Sequence, residues 1–444
     1  MLVGYTHANW IYAGEILKNI DSYDFTSSYP YVLVTHKYPS YEFKKCKIKN
    51  RNDMLKNYAY IIKVRFFNIK SKFYNNFISQ SKCYSIKGGK YDNGRLIGAD
   101  EISICLTDVD FYLICDTYSF TSYEIEESYY SKYNYLPIQF IEFILNKYVN
   151  KTKFKNVEGK EIEYIKEKNK FNSLYGMSVT NMIRDEVIYN NDKGWEEIPL
   201  SNEEIIERLE KEKEKAFLSF SYGVWVTAYA RNNLIRNVIK LDEYVVYCDT
   251  DSMKLLPGYD KQVIIDYNNF VKEKIKKVSK LLNIPLDKFA PTDVYRKEHM
   301  LGLFECDEHY KEFITQGAKK YAYIKEISKE KVKKDMNIVK TYKNKCDILE
   351  ITVAGVPKLG ANALKSLSDF KDNFVFEYEY TQKNLLVYCE EQLPFELKDY
   401  KNVVYKVNDI SGCCLLPNTY KLGKSEEYAN LINDNSSKRA RYKE

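Results

Sequence analysis

One six-residue run, Tyr247-Cys248-Asp249-Thr250-Asp251-Ser252, constrains this chain more than any other. Val245 and Val246 run into it, and Met253-Lys254-Leu255-Leu256 run out of it, the pattern of two short strands around a tight turn. The tip of that turn carries two carboxylates. Like charges so close raise each other's pKa unless a cation neutralises them. The simplest account is a divalent hard cation, Mg²⁺ or Mn²⁺, held by oxygen ligands. Such a site needs at least one further carboxylate from elsewhere in the chain. From the spacing alone an ordinary Asp-rich β-turn fits equally well, so the remaining sequence decides.

Length bounds the architecture: 444 residues suggest about two to four domains or subdomains. Hydrophobic residues make up 45%, ample for a core. The formal net charge of +6 is compatible with a polyanionic partner without requiring one. The 42 tyrosines suit stacking on bases and reaching phosphates, although a bias toward AT-rich codons gives the same excess and is the preferred explanation. Ten cysteines occur without a CxxC pair and four histidines are scattered, so no zinc signature emerges and the thiols read as reduced and cytosolic. Neither a signal peptide nor an apolar run long enough to span a membrane is present.

Asp24-Phe25-Thr26-Ser27-Ser28-Tyr29-Pro30 places an acid at the end of a predicted strand, then a turn of small hydroxyls and free backbone N–H groups, then a proline suited to open a helix. Such a turn can hold a metal and a triphosphate together; equally, Asp24 can simply cap the helix. From about 58 to 124 the pattern is β, with period-two alternation over 61–67 and two further strands at 102–106 and 110–115. Helices are predicted over 137–148 and 161–175, the second stopped by Gly176. Lys168, Asn172 and Tyr175 fall at i, i+4 and i+7, on one face of that helix. A cation, an amide and an aromatic ring on one face suit a nucleotide; a solvated Lys-rich face with Tyr175 in the core gives the same pattern.

Residues 190–194 read as a turn, and Ser201-Asn202-Glu203-Glu204 as a capping box opening a charged helix. An amphipathic helix over 222–240 has Trp225, Ala228, Ile235 and Val238 or Ile239 available to pack, and leads into the Asp249/Asp251 turn. A basic amphipathic helix is expected over 261–282. Lys319-Lys320-Tyr321-Ala322-Tyr323 alternates cation and aromatic, which suits a strand tracking a nucleic-acid backbone, or an edge strand kept soluble by lysines. The charged stretch 329–345 reads as a linker. Residues 350–444 resume folded character, with a hairpin near Cys413 to Tyr420, and the tail from Asn433 reads as basic and disordered.

Taken in order, these segments resemble the motifs of family B DNA polymerases. Asp24-x-x-Ser27-x-Tyr29-Pro30 resembles the first polymerase motif, Lys168-x-x-x-Asn172-Ser173-x-Tyr175-Gly176 the fingers motif, Tyr247-x-Asp249-Thr250-Asp251-Ser252 the palm hairpin, and Lys319-x-Tyr321 the later Lys-x-Tyr motif. The four lie in the family's order over about 300 residues. The β-rich stretch before the second motif, the short insertion after it, the run 222–231 and the region around 350–420 are similar to the protein-primed phage and plasmid branch.

The resemblance implies an α+β right-hand fold of palm, fingers and thumb with two insertions. Residues 1–40 would be an N-terminal palm segment, 41–136 a β-rich insertion, 137–180 the fingers and 181–218 a second insertion. The palm would resume over 219–349, a thumb-like region would follow over 350–432, and 433–444 would be the basic tail. It implies DNA-directed DNA polymerase activity in viral or plasmid replication, in the cytoplasm of a bacterial host, with two Mg²⁺ ions for which Mn²⁺ can substitute. Asp24, the backbone carbonyl of Phe25 and Asp251 would bind metal, with Asp249 as the supporting acid. Ser27, Ser28, Tyr29, Lys168, Asn172 and Tyr175 would bind the dNTP, Lys168 neutralising the triphosphate and Tyr29 excluding a 2′-hydroxyl. Thr250, Ser252, Lys319 and Tyr321 would hold the DNA primer-template.

The family's Tyr-x-Gly-Gly segment is reduced here to Gly4-Tyr5-Thr6, so proofreading is expected to come from a separate exonuclease subunit, or the chain is the C-terminal part of a split polymerase. A terminal protein primer is the further partner implied. The rival readings are a non-catalytic nucleic-acid-binding remnant, against which the intact carboxylates and Lys168 argue, and a different two-metal enzyme such as a reverse transcriptase or nuclease, against which the motif order argues.

Overall fold

The computed structural model describes residues 4–179, 183, 185–190, 194–215, 219–332, 336–356, 361, 363–378, 395–398, 404–407, 418–436 and 439. The chain divides into two compact units. The first comprises Met1–Thr6, Tyr23–Lys254 and Gly258–Asp307; the second comprises His7–Ser22, Leu255–Pro257 and Glu308–Glu444.

The first unit holds helices α1 (Ser28–Thr35), α2 (Asp108–Thr117), α3 (Ile138–Phe154), α4 (Glu161–Ser178), α5 (Asn202–Lys215), α6 (Phe220–Leu241) and α7 (Gln262–Leu282). Its main antiparallel sheet runs in the order Tyr38–Pro39, Ser122–Asn134, Tyr58–Ser71, Arg95–Thr107, Cys83–Lys87. The alternation legible at 61–67 sets its register. Ile62, Val64 and Phe66 are fully buried while Lys63 and Arg65 face outward.

Helix α6 is buried almost all round: Trp225, Val226, Ala228, Leu234, Ile235 and Val238 are all fully covered, so it is a core helix more than an amphipathic one. It packs against α1, α2, α4 and α7. Trp225 donates from Nε1 to the Tyr133 hydroxyl at 2.7 Å, and that hydroxyl lies 2.7 and 2.9 Å from the two Asp108 oxygens. Arg231, also on α6, makes a buried ion pair with Asp110 of α2: Nε to Oδ1 at 3.0 Å, and Nη2 to Oδ1 and Oδ2 at 2.7 and 2.9 Å.

Several expectations are corrected. Residues 110–115 belong to α2, not to a strand. Thr107 caps that helix by accepting the Asp110 N–H, and Asp108 and Asp110 in its first turn complement the helix dipole. Gly176 does not stop α4, which runs to Ser178. The stretch 329–345 is no linker: it holds a short 3₁₀ turn, strand Asn337–Thr341 and the start of strand Lys345–Val353. The capping box at Ser201 is present, with Glu204 accepting the Ser201 N–H at 2.8 Å and Ser201 Oγ accepting the Glu204 N–H at 3.3 Å.

In the second unit, Glu308 onward in strand Phe304–Gly317 pairs with Lys320–Ser328, then Lys345–Val353, then Asn337–Thr341, all antiparallel. Ile314, Ala322, Leu349, Leu364, Phe370, Phe376 and Leu422 form its core. Strand Val375–Tyr378 pairs with Asn418–Lys421, and residues 413–417 of the hairpin expected near Cys413 to Tyr420 lie outside the described residues. The tail begins inside helix Glu426–Asp434, and Arg439 donates to the carbonyls of Ile11 and Ala13 at 2.9 and 2.8 Å; the remaining positions from 437 lie outside the described residues. Likewise 191–193 of the expected turn are not described. Each of the seven described cysteines is free, and no described helix is long and apolar enough to cross a membrane.

The Arg231–Asp110 pair makes a stability prediction. Removing one partner strands the other's charge in the core, whereas removing both does not. Arg231→Met should lower unfolding free energy by about 3–5 kcal/mol, and Arg231→Met with Asp110→Leu should recover most of it. Urea titration followed by Trp225 fluorescence reads both.

Candidate active site

The first three motifs fall in the first unit, and Asp24, Lys168, Asn172, Tyr175 and Asp251 from them line one cavity of about 630 Å³. Its lining includes Asp24, Phe25, Ser27, Ser28, Tyr29, Lys168, Asn172, Tyr175 and Asp251. Three separate backbones deliver them.

The first is the end of strand Leu17–Phe25 and the turn into α1. Phe25 N–H donates to Asp251 O at 2.9 Å, which ties this strand end directly to the hairpin tip. Thr26 is clamped by the segment before Phe304: Thr26 N–H donates to Leu303 O at 2.8 Å, and Gly302 N–H to Thr26 O at 2.7 Å. Only glycine suits position 302, where φ is +77° and a Cβ would lie 2.4 Å from the Tyr31 ring. Asp24 does not cap α1. The residue preceding that helix is Ser27, in the left-handed region with φ 57°, and its hydroxyl accepts from Lys151 Nζ at 3.1 Å.

The second backbone is the hairpin of strands Val245–Asp249 and Ser252–Leu255. Thr250 at its tip has φ 58°, a strained choice for a β-branched residue. The strain is held by Thr250 N–H donating to Tyr5 O and Asp251 N–H donating to Asp249 O, both at 2.6 Å. Asp249 does not line the cavity. Its carboxylate accepts from Thr6 Oγ1 at 3.1 Å and Thr250 Oγ1 at 3.3 Å, so it braces the turn that aims Asp251. Ser252 Oγ donates to Asp249 O at 3.4 Å and accepts from the buried Lys254 at 3.3 Å.

The third is α4. Lys168, Asn172 and Tyr175 share its face toward the cavity, and the Tyr175 ring lies 4.4 Å from that of Tyr29. The end of α4 is seated close on α6, since a Cβ at Gly223 would lie 2.2 Å from Val179. Lys319 and Tyr321 belong to the second unit. Lys319 is not on a strand but at the turn before Lys320–Ser328, with φ 58°, while Tyr321 lies on that strand and stacks 5.9 Å from Phe313.

Sequence reasoning missed Lys151, Lys155, Tyr164, Lys254, His299, Glu305 and Asp307. A signal for the lysines existed: Lys147, Lys151 and Lys155 recur every four residues, one helical face. Lys147 is taken by Glu167 at 3.2 Å, but Lys151 and Lys155 line the cavity. Glu305 and Asp307 alternate on one strand face, a pattern too common to flag.

Electrostatics make the site costly as it stands. Burial first, then the facing Asp251 and Asp307, push Asp24 from 3.8 up to about 7, against the pull of Lys254 and Lys168. Burial, then Lys168 and Lys155, bring Lys151 down to about 8. Among the described residues no three carboxylate, imidazole or thiol side chains converge to hold a metal ion by themselves. Asp24, Asp251 and the Phe25 carbonyl are nonetheless the oxygen donors that suit a hard divalent ion, which keeps positions for water and substrate phosphates.

With its pKa raised above the ordinary value, Asp24 in the folded chain binds an extra proton between pH 3.8 and about 7. Its contribution to stability is therefore present in acid and lost as pH rises through 7. In metal-free buffer Asp24→Asn should leave thermal stability unchanged near pH 4 and raise it at pH 8, by on the order of 1–2 kcal/mol; melting curves at the two pH values check this.

No protein-family model matches the chain, and no curated protein matches it. Solved structures do. Phi29 DNA polymerase complexed with primer-template DNA and incoming nucleotide substrates is similar over 95% of this chain and 60% of its own, with TM-score 0.59 and 17% identity. The orthorhombic crystal form of the same polymerase is similar over 94% of this chain and 61% of its own, with TM-score 0.58 and 18% identity. The chain thus spans about three fifths of the length of these polymerases and has their α+β polymerase fold over nearly all of its own.

Proposed function

We propose that the chain is a template-directed DNA polymerase core that adds dNTPs to a primer 3′-hydroxyl. The observation that carries this reading is the convergence of Asp24, Asp251, Tyr29, Lys168, Asn172 and Tyr175 on one cavity from three separate backbones. Likeness in fold to phi29 DNA polymerase supports it.

In this reading Asp24, Asp251 and the Phe25 carbonyl hold two Mg²⁺ ions, for which Mn²⁺ can substitute. Bound there, the ions supply charge neutralisation at the attacking and leaving oxygens of an in-line displacement. The protein's own part is positioning. Ser27, Ser28 and the backbone N–H groups of the turn receive the triphosphate. Lys168 neutralises it and can give a proton to the departing pyrophosphate. Lys151, held at about 8 by its surroundings, adds a second cation beside Ser27. Tyr29, pressed against Tyr175, closes the space a 2′-hydroxyl would need. Asn172 and Tyr175 pack on the nascent base pair. Asp249 sets the hairpin's shape through Thr6 and Thr250. Thr250, Ser252, Lys319 and Tyr321 hold the primer strand. A terminal protein primer, a separate exonuclease subunit and a bacterial host cytoplasm belong to the same reading.

Primer extension on a primed template with Mg²⁺ and dNTPs tests it. Wild type should extend and Asp251→Ala should lose at least about 10³-fold in rate. DNA binding without extension, even with an exonuclease-bearing partner added, would favour the binding-remnant reading. Tyr29→Val should keep dNTP insertion and raise ribonucleotide insertion by about 10- to 100-fold, measured by single-nucleotide insertion kinetics.

A further inference from the structure

The loop of residues 291–299, in the first unit, closes on itself and leads one imidazole to the candidate active-site cavity. His299 N–H donates to Pro291 O at 2.9 Å, and Asp293 N–H to Lys297 O at 2.9 Å. Asp293 Oδ1 accepts the N–H groups of Tyr295 and Lys297 at 2.9 and 3.0 Å, and Asp293 Oδ2 lies 2.9 Å from His299 Nε2. The His299 and Asp293 side chains are only 6% and 5% exposed, and of the two His299 lines the cavity. The bond from His299, opposed by burial and joined by the two turn N–H groups, holds Asp293 below the usual carboxylate range. Asp293 is therefore an ionised acceptor, which assigns a proton to Nε2. The other ring nitrogen, Nδ1, has no partner among the described residues and is not sealed from solvent.

The neighbours of His299 suit an anion. Its carbonyl accepts from the Tyr148 hydroxyl at 2.8 Å, which ties the loop to α3. Lys151, one turn further along α3, lies 5.6 Å from the centre of the Tyr148 ring, and its Nζ donates to Ser27 Oγ at 3.1 Å. A cation, two hydroxyls and an imidazole are thus joined by direct contacts at the edge of one cavity, and Lys155 adds a second cation to its lining. With a second proton the ring presents Nδ1–H as a charged donor, the form that an anion in the cavity favours. A metal ion on Nδ1 would need further ligands, and no three carboxylate, imidazole or thiol side chains converge among the described residues.

We propose that His299 is a phosphate-binding residue of the candidate active site, its Nδ1–H donating to the polyphosphate of the incoming nucleotide and to the pyrophosphate that leaves. Asp293 touches neither and is a positioning residue: it fixes which ring nitrogen faces the cavity. The nature of the ligand is taken from the polymerase reading, on which this assignment rests.

Inorganic pyrophosphate, added to the full chain in EDTA so that no divalent ion bridges it to Asp24 and Asp251, tests this without turnover. The chain has four histidines, so ¹⁵N imidazole spectra are simple, and His299→Gln identifies the His299 signals by their loss. Pyrophosphate should shift the Nδ1 signal of His299. Glutamine places an amide where Nε2 stood and nothing at Nδ1; asparagine does the reverse. In calorimetry His299→Gln should weaken pyrophosphate binding by about tenfold or more while melting close to wild type. His299→Asn should bind more tightly than His299→Gln although it melts lower, the opposite of what a purely structural role predicts. The proposal falls if pyrophosphate does not bind, if it binds and leaves the Nδ1 signal unmoved, or if His299→Gln binds it as wild type does. Should His299→Gln fail to fold, the wild-type spectrum decides, its signals assigned from His299→Asn. Primer extension with an unmoved Nδ1 signal sinks this assignment alone; a shifted signal without extension leaves His299 a pyrophosphate ligand and favours the binding-remnant reading.

Discussion

A single backbone hydrogen bond, from Phe25 N–H to Asp251 O, joins two segments more than two hundred residues apart in sequence. The meeting of Asp24 and Asp251 at the candidate site follows from it. The bond sets the end of strand Leu17–Phe25 beside the hairpin tip that carries Asp251, so the Asp251 carboxylate faces a largely buried Asp24. The fold tolerates this because the surrounding backbone is over-determined. Thr26 is held on both sides by the segment 302–303, Thr250 is pinned by Tyr5, and Asp249 is used up in bracing the turn. The burial and like-charge repulsion that lift Asp24 are thus held against a rigid frame, where a cation can relieve them.

The residues that line the candidate site were the most legible part of the sequence. Asp24, Lys168, Asn172, Tyr175 and Asp251 lie far apart in the chain, yet spacing alone put Lys168, Asn172 and Tyr175 on one helical face, and strand-turn patterns exposed both acids. Local rules suffice where one element presents the group. They failed where a cap outweighed an apolar pattern: Phe111, Leu113 and Cys115 alternate like a strand, but Thr107 and the acids after it start a helix. They failed again at 329–345, whose charge masked a strand pair, because an exposed edge strand carries lysines for the same reason a linker does. Gly176 misled in the opposite direction, since packing of α4 on α6 carries the helix past a residue that would end it in isolation.

What no spacing rule could supply was the cavity's outer ring. Lys254 lies buried on the second hairpin strand, and Glu305 and Asp307 arrive from a strand that begins beyond α7. Their relevance is purely tertiary, and Lys254 and Asp307 change the charge that Asp24 feels. The buried Asp108, with Tyr133 and Trp225 behind it, is of the same kind: nothing at position 108 distinguishes it from a helix-start aspartate until the fold closes over it.

The clamp on Thr26 has one more consequence. Its two bonds run from backbone to backbone, and the segment that supplies them, Gly302 and Leu303, contributes no reactive side chain. Contacts of that sort leave almost no imprint on residue identity beyond a glycine with positive φ. Two chains can therefore keep the same frame while nearly every letter drifts. A polymerase fold shared at 17–18% identity, with no family model recognising the sequence, is what a scaffold written in main-chain hydrogen bonds produces. Distant kin of this chain are better sought by backbone shape than by alphabet.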